Sequence, residues 1–266
     1  MAGRLQDKVA IIIGAGCVGP GWGNGRATAA IFGREGAKIF AVDLRAEAME
    51  ETVAATREAG GEIRTHTCDV TQNDQVAAMV RACINSYGRV DILVNNVGGS
   101  AAGGAVALSE EAWDRQIDFN LKSVFLACKH VIPEMEKVGG GAIVNTASTS
   151  GLRWTGSAQV AYASSKAAII QFSRVTAVEY AKKNIRVNTV VPGQMHTPMV
   201  EVRLAGQRTG GDVNALLQSR VARIPLGFMG DGRDTAHAAL FLVSDEARFV
   251  TGTEIVVDGG MTARCD

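Results

Sequence analysis

The chain has 266 residues, room for one large α/β domain with a sizeable core, and its 47% hydrophobic and 20% charged residues are a globular composition. Lys and Arg total 27 against 27 Asp and Glu, and this zero net charge leaves no electrostatic case for nucleic acid or an anionic membrane as partner. No apolar run approaches the ~18–20 residues of a membrane span and the first eight residues lack a signal-peptide core, so a cytoplasmic protein acting on a small molecule is expected.

Apolar, β-branched runs alternate with helix-length amphipathic segments from end to end, the pattern of a doubly wound parallel sheet with both faces covered. Strands are expected at Val9–Ile13, Lys38–Val42, Glu62–Thr67, Ile92–Val94, Ala142–Asn145, Ile185–Val191 and Glu254–Val257, a seven-stranded sheet. Helices are expected at Gly25–Gly33, Arg45–Ala59, Thr71–Tyr87, Glu110–Val138, Ser157–Lys183 and Asp234–Ser244. Thr71 and Asp74 provide a capping signal, and Gly60-Gly61 and Gly139-Gly140-Gly141 end helices. No linker or repeat divides the chain, so residues 1–266 form one domain. The alternation breaks only at residues 193–232, where a helical pattern at Val213, Leu216, Leu217, Val221 and Ile224 follows the sixth strand, as a substrate lid would. Five cysteines, odd in number and without a C-x-x-C pair, indicate neither disulfides nor a metal site.

Chemistry concentrates after the strands. Between the first strand and first helix, Gly14 to Gly25 reads GAGCVGPGWGNG, a strand, glycine loop and helix order that suits a phosphate. Gly14, Gly16 and Gly19 spell the dinucleotide fingerprint, while Gly19, Gly23 and Gly25 spell a second spacing; the stretch reads best as one expanded loop. Asp43 at the end of the second strand is placed to accept from an adenosine ribose and to repel a 2′-phosphate, which favours NAD over NADP, though Arg45 leaves room for NADP. Tyr162 and Lys166 lie one helical turn apart, where a cation stabilises a phenolate and makes a usable proton donor and acceptor. Ser148 ends the fifth strand, at the mouth of the sheet.

In order and spacing these motifs resemble the short-chain dehydrogenase/reductase family over nearly the whole chain, and the resemblance implies a Rossmann fold. The residues that carry it are the glycine loop, Cys68-Asp69-Val70, Asn95-Asn96-Val97-Gly98, Asn120, Ser148, Tyr162 with Lys166, Val191-Pro192-Gly193 and Val257-Asp258-Gly259-Gly260. It implies that Tyr162 exchanges a proton with the substrate oxygen, that Lys166 supports Tyr162 and the nicotinamide ribose, that Ser148 binds the substrate oxygen, and that Asn120 holds a relay water. It further implies NAD contacts from Gly14, Gly23, Asn24, Gly25, Asp43, Leu44, Asp69, Val70, Asn96, Gly98, Tyr162, Lys166, Pro192, Gly193 and Thr197. A homotetramer paired through the helices at Glu110–Val138 and Ser157–Lys183 belongs to the same resemblance.

Two departures stand out. Ile13 replaces the usual Thr before the first glycine, and the loop has about five extra residues, including Pro20 and Trp22, with Trp22 expected as an apolar shield over the cofactor. Enoyl reductases of the same superfamily share an enlarged loop but space Tyr and Lys farther apart, so the expected reaction is hydride transfer between NAD(H) and a secondary alcohol or ketone. Enoyl-reductase-like activity and a non-catalytic nucleotide-binding regulator are the alternatives. Substrate contacts are expected from Ser148, Arg153, Trp154, Gln159, Gln194 and His196, with Trp154 as a flat wall for a cyclic or aromatic substrate and Arg153 as a fork for a carboxylate. A solvated Arg153 and a Trp154 at a subunit contact fit the same sequence.

Overall fold

The computed structural model describes residues 3–204 and 212–265. Strands β1 (Val9–Ile13), β2 (Lys38–Asp43), β3 (Glu62–Thr67), β4 (Ile92–Asn95), β5 (Gly141–Thr146), β6 (Ile185–Pro192) and β7 (Glu254–Val257) form one sheet in the order β3-β2-β1-β4-β5-β6-β7, every pair parallel. The centre of the sheet is buried on both faces, which is why β1, VAIII, is apolar throughout rather than alternating. Edge strand β3, EIRTHT, buries only Ile63 and carries polar side chains elsewhere, a composition that discourages pairing with another chain.

Helices α1 (Asn24–Arg34) and α8 (Gly232–Val243) cover one face with a core that includes Ile12, Phe32 and Leu240. Helices α3 (Asn73–Tyr87), α5 (Ser123–Lys137) and α6 (Val160–Tyr180) cover the other around Ile11, Leu93, Val131 and Ile169. Short α2 (Glu50–Glu58) packs beside α1, and Gly33 and Gly61 allow that approach: a methyl on Gly33 would stand 2.8 Å from Thr56 Cγ2. Among the described residues no helix is long and apolar enough to cross a membrane.

Three local expectations need correction. The helix expected over Glu110–Val138 is two, α4 (Glu110–Ile117) and α5, joined by a π-turn at Asp118–Lys122 that buries Asn120. The helix expected from Arg45 begins as a tight turn at Glu47–Met49 before α2. Thr71 does not cap α3; the N-cap is Gln72, and the Thr71 hydroxyl donates to Asp69 Oδ1 at 2.7 Å. A nearby carboxylate outcompeted the backbone for that hydroxyl. Within the expected lid, the described helix α7 spans Val213–Val221, where Leu216 and Val200 are buried against one another; residues 205–211 of the lid lie outside the described residues.

Candidate active site

The carboxyl ends of all the parallel strands point the same way, so the loops that follow them converge on one crevice where the strand order reverses between β1 and β4. A cleft of about 450 Å³ opens there. Its walls include Gly14, Gly23, Asn24, Asp43, Leu44, Asp69, Val70, Asn96, Gly98, Ser148, Tyr162, Lys166, Pro192, Gly193 and Thr197, so residues separated by up to 183 positions share one surface.

The glycine loop is shaped by close contacts. Gly14 has φ 74°, and a methyl on Gly25 would stand 1.8 Å from the Gly14 carbonyl oxygen, so α1 can reach β1 only with glycine at that position. Gly25 therefore serves helix packing and does not line the cleft. Gly16, absent from the contacts expected of the expanded loop, does line it. The Gly16 amide donates to Asp43 Oδ2 at 2.9 Å, and a methyl there would meet that oxygen at 2.7 Å. The helix beyond has Gly23 at its N-cap with no side-chain cap, so its first-turn N–H groups face the cleft end of the helix without competition from a capping side chain. Two buried polar atoms of cleft residues, Asn24 Oδ1 and Asn96 Nδ2, have no hydrogen-bond partner among the described residues. A glycine-opened turn, an uncapped helix end and two unsatisfied amide atoms fit a dinucleotide.

Trp22 does not shield this cleft. Its ring packs against the core on the α1/α8 side with the Arg233 guanidinium 5.6 Å from the ring centroid, and its carbonyl accepts from Gly232 N. The apolar ring gains more from core burial and a cation on its face than from an open cleft wall. The rest of the extension leans on the lid: methyl groups built on Gly19 and Gly21 would stand 3.5 and 3.6 Å from Pro198, and Arg26 Nη1 donates to the Gly21 carbonyl at 2.6 Å.

At the other end, Lys166 is 2% exposed and donates to the Thr146 carbonyl at 2.8 Å, with its Nζ 5.8 Å from the Tyr162 ring centroid. Burial pushes the Lys166 ammonium down to about 8. Asn120 does not line the cleft but lies directly behind it. Its side chain accepts from Gly99 N at 3.0 Å and donates to the Gly99 and Gln116 carbonyls at 3.1 and 2.9 Å. The π-turn makes this possible, because it leaves the Gln116 carbonyl to a side chain. A methyl on Gly98 would meet Lys166 Nζ at 2.8 Å and Asn120 Oδ1 at 3.0 Å, so those two groups close on the Gly98 backbone from behind. Gly98→Ala is expected to cost about 1–3 kcal/mol of stability and to displace Lys166; thermal unfolding and kcat measured together check it, and unchanged values in both would refute the crowding.

Ser148 is held in place from the β5–α6 connection. Its Oγ accepts from Ser150 N at 3.2 Å, and Gln159 Nε2 donates to Ser150 Oγ at 2.8 Å and Thr155 Oγ1 at 3.2 Å. Gly151 lets this turn touch α6, since a methyl there would lie 2.6 Å from Ala167 N. Gln159 thus braces the turn and is not on the cleft.

The other expected substrate contacts also fall elsewhere. Arg153 and Trp154 line a separate hollow with Arg223, Met261 and Arg264, and Trp154 is 76% exposed. His196 pairs with Glu201 at 2.8 Å on the surface, and Gln194 is buried without reaching the cleft wall. The turn after Ser148 coils back onto α6 and carries 153–154 outward, which residue spacing alone could not reveal. In their place the structure brings Phe119, Met195, Met199, Val200 and Arg220 to the cleft. The break in alternation at 193–232 pointed to this segment as a whole, but the helical spacing read there starts at Val213, and nothing in the sequence marked Met195, Met199, Val200 or Arg220 individually.

A family model described as enoyl-(acyl carrier protein) reductase matches residues 20–262. The chain is a short-chain dehydrogenase/reductase. It is 38% identical to the 3-oxoacyl-[acyl-carrier-protein] reductase of Thermotoga maritima over 97% of this chain and 99% of that one. It is 36% identical to a 2,5-dichloro-2,5-cyclohexadiene-1,4-diol dehydrogenase of Sphingobium indicum, over 98% of each. Among solved structures, a short-chain dehydrogenase/reductase from Burkholderia xenovorans superposes with a TM-score of 0.96 at 62% identity over 100% of both chains. Levodione reductase superposes with a TM-score of 0.92 at 33% identity over 98% of this chain and 99% of that one. As a member of this short-chain dehydrogenase/reductase family the protein is a hydride-transferring oxidoreductase that uses a nicotinamide cofactor.

Proposed function

We propose that the short-chain dehydrogenase/reductase described above interconverts a cyclic secondary alcohol and its ketone with NAD(H). The observation that carries this reading is the grouping of Ser148, Tyr162 and Lys166 on one cleft wall with Asn120 packed behind. The nicotinamide, when bound, supplies the hydride acceptor or donor. Ser148 Oγ hydrogen-bonds the substrate oxygen, and the Tyr162 hydroxyl takes or gives its proton. An ammonium at Lys166 stabilises the phenolate form of Tyr162, and Asn120 fixes the Gly99 backbone behind them. Gly14, Gly16 and Gly23 leave space for the pyrophosphate at the start of α1, while Asn96 and Thr197 lie farther along the same cleft.

Cyclic substrates are supported by the diene-diol dehydrogenase and the levodione reductase among the relatives, and by Phe119, Met195 and Met199 as apolar wall. NAD is supported by Asp43, whose carboxylate is fixed by Gly16 N at the ribose end. Assembly as a homotetramer is supported by exposed Trp113, Phe125, Val175 and Val178 on α4, α5 and α6, and light scattering reads it directly. Reduction of an enoyl double bond is a second reading, favoured by the description of the matching family model.

The deciding experiment is a nicotinamide-absorbance screen of cyclohexanones, cyclohexanols, 3-oxoacyl and enoyl thioesters with NAD(H) and NADP(H). Turnover of cyclic ketones with NADH is expected. Turnover confined to enoyl thioesters would replace the reading, and tight cofactor binding with no turnover would point to a regulator. In the same screen Asp43→Asn is expected to lower the NADH over NADPH preference at least ~10-fold, because it removes the charge that repels a 2′-phosphate; an unchanged preference would remove Asp43 from that role.

A further inference from the structure

The lid helix α7 turns a stripe toward the body of the protein at Val213, Leu216 and Leu217, packed with Val200. The next position on that stripe, three residues beyond Leu217 and four beyond Leu216, is Arg220. Arg220 is only 7% exposed, donates from Nη2 to the Met195 carbonyl at 3.2 Å, and lines the catalytic cleft. An aliphatic side chain would complete the stripe without the penalty of burying a guanidinium, so packing alone does not account for arginine there.

The acidic residues of the cleft lie on one side. Among those described they are Asp43 and Asp69, which follow β2 and β3 on one half of the sheet, where Arg45 also lines the cleft. On the half that holds Ser148 and Tyr162, the charged residues lining the cleft among those described are the cations Lys166 and Arg220. Lys166 comes from the floor, tied to β5 through the Thr146 carbonyl; Arg220 comes from the lid, tied to the segment after Gly193 through Met195. A substrate whose oxygen sits at Ser148 and Tyr162 therefore meets a second, fixed positive group on the lid side. Met195, Met199 and Val200 form the adjoining wall, which suits an apolar body between the reacting oxygen and an anionic end.

We propose that Arg220 is a specificity residue that binds a carboxylate on the cyclic substrate, through a planar guanidinium suited to two parallel hydrogen bonds. The idea rests on the ketone/alcohol chemistry proposed above and assigns the acidic substrate end to the lid, not to Arg153.

The test compares 4-oxocyclohexanecarboxylate with the neutral 4-methylcyclohexanone on the intact protein saturated with cofactor. The wild type should prefer the carboxylate in kcat/KM by about 10–100-fold. Arg220→Met should erase that ratio, and Arg220→Lys should keep part of it, because a point charge preserves attraction without the fork. Calorimetric binding of cyclohexanecarboxylate to the cofactor-loaded protein supplies a readout that needs no turnover: affinity at least tenfold weaker in Arg220→Met supports the role. Equal handling of both ketones by the wild type, an unchanged ratio in Arg220→Met, or carboxylate binding indifferent to the substitution would overturn it. If neither ketone is turned over, the ketone reading fails, and the calorimetric comparison alone decides the carboxylate site. Should Arg220→Met unfold below assay temperature, the Arg220→Lys ratio and binding constant decide, a full wild-type preference counting against the fork.

Discussion

Tyr162→Phe is expected to lower kcat about 10³-fold, within the range for loss of a positioned acid–base group, while cofactor affinity changes by less than about tenfold. The substitution removes one oxygen and leaves the ring, so α6 keeps its packing against the Ser148 turn through Gly151 and Ala167. The cofactor contacts proposed for the glycine loop, Asp43 and Asn96 come from other walls of the cleft and leave the hydroxyl out. Stopped-flow hydride transfer together with a fluorescence titration of NADH separates the two quantities. A variant that retains turnover within tenfold would remove Tyr162 from proton transfer, and with it the mechanism proposed.

Lys166→Met should produce the second large effect, and it should be visible in stability as well as in rate. Folded, Lys166 loses its proton near pH 8; unfolded, near 10.5. Between those values the unfolded chain holds the extra proton, so wild-type stability rises with pH through that window, and the contribution is fully lost as pH falls below 8. The difference from Lys166→Met should therefore shift by about 3 kcal/mol in favour of the wild type from pH 8 to 10.5. Below pH 8 the difference should be flat. Using the difference between the two proteins cancels the tyrosines and cysteines that titrate in the same alkaline range. Denaturant unfolding at four or five pH values measures it, and parallel curves would mean that Lys166 is not desolvated. Turnover should fall together with the charge, because the phenolate of Tyr162 loses its neighbouring cation. The buried cation is thus a cost to the apoprotein that the catalytic site retains.

Much of the architecture was legible in the chain. Strand β1 is a continuous apolar run, β6 carries Val187, Val190 and Val191 among its residues, and glycines such as Gly60 and Gly139 end the preceding helices with φ of 85° and 89°. The two helices read most generously, Arg45–Ala59 and Glu110–Val138, failed where the backbone serves something other than packing: a cleft edge at Arg45 and Ala48, and a π-turn that delivers Asn120. Periodicity reports which face is apolar and is blind to a single extra residue in a turn.

What the sequence by itself determined was the fold class, the alignment of Asp43, Ser148 and Gly193 with strand ends, the placing of Tyr162 and Lys166 one turn apart on a helix, and the presence of a glycine-opened loop before α1. Each depends on local pattern and on short spacings that survive any arrangement of distant segments. Only the tertiary structure decided that Gly16 and Asp43 join across the turn, that Trp22 packs toward α8, that Arg153 and Trp154 face a separate hollow, and that Arg220 faces the cleft. These outcomes are set by how loops and the lid settle on surfaces made by other parts of the chain. The energies that choose among them come from burial and hydrogen bonding between residues far apart in sequence, for which local pattern holds no record.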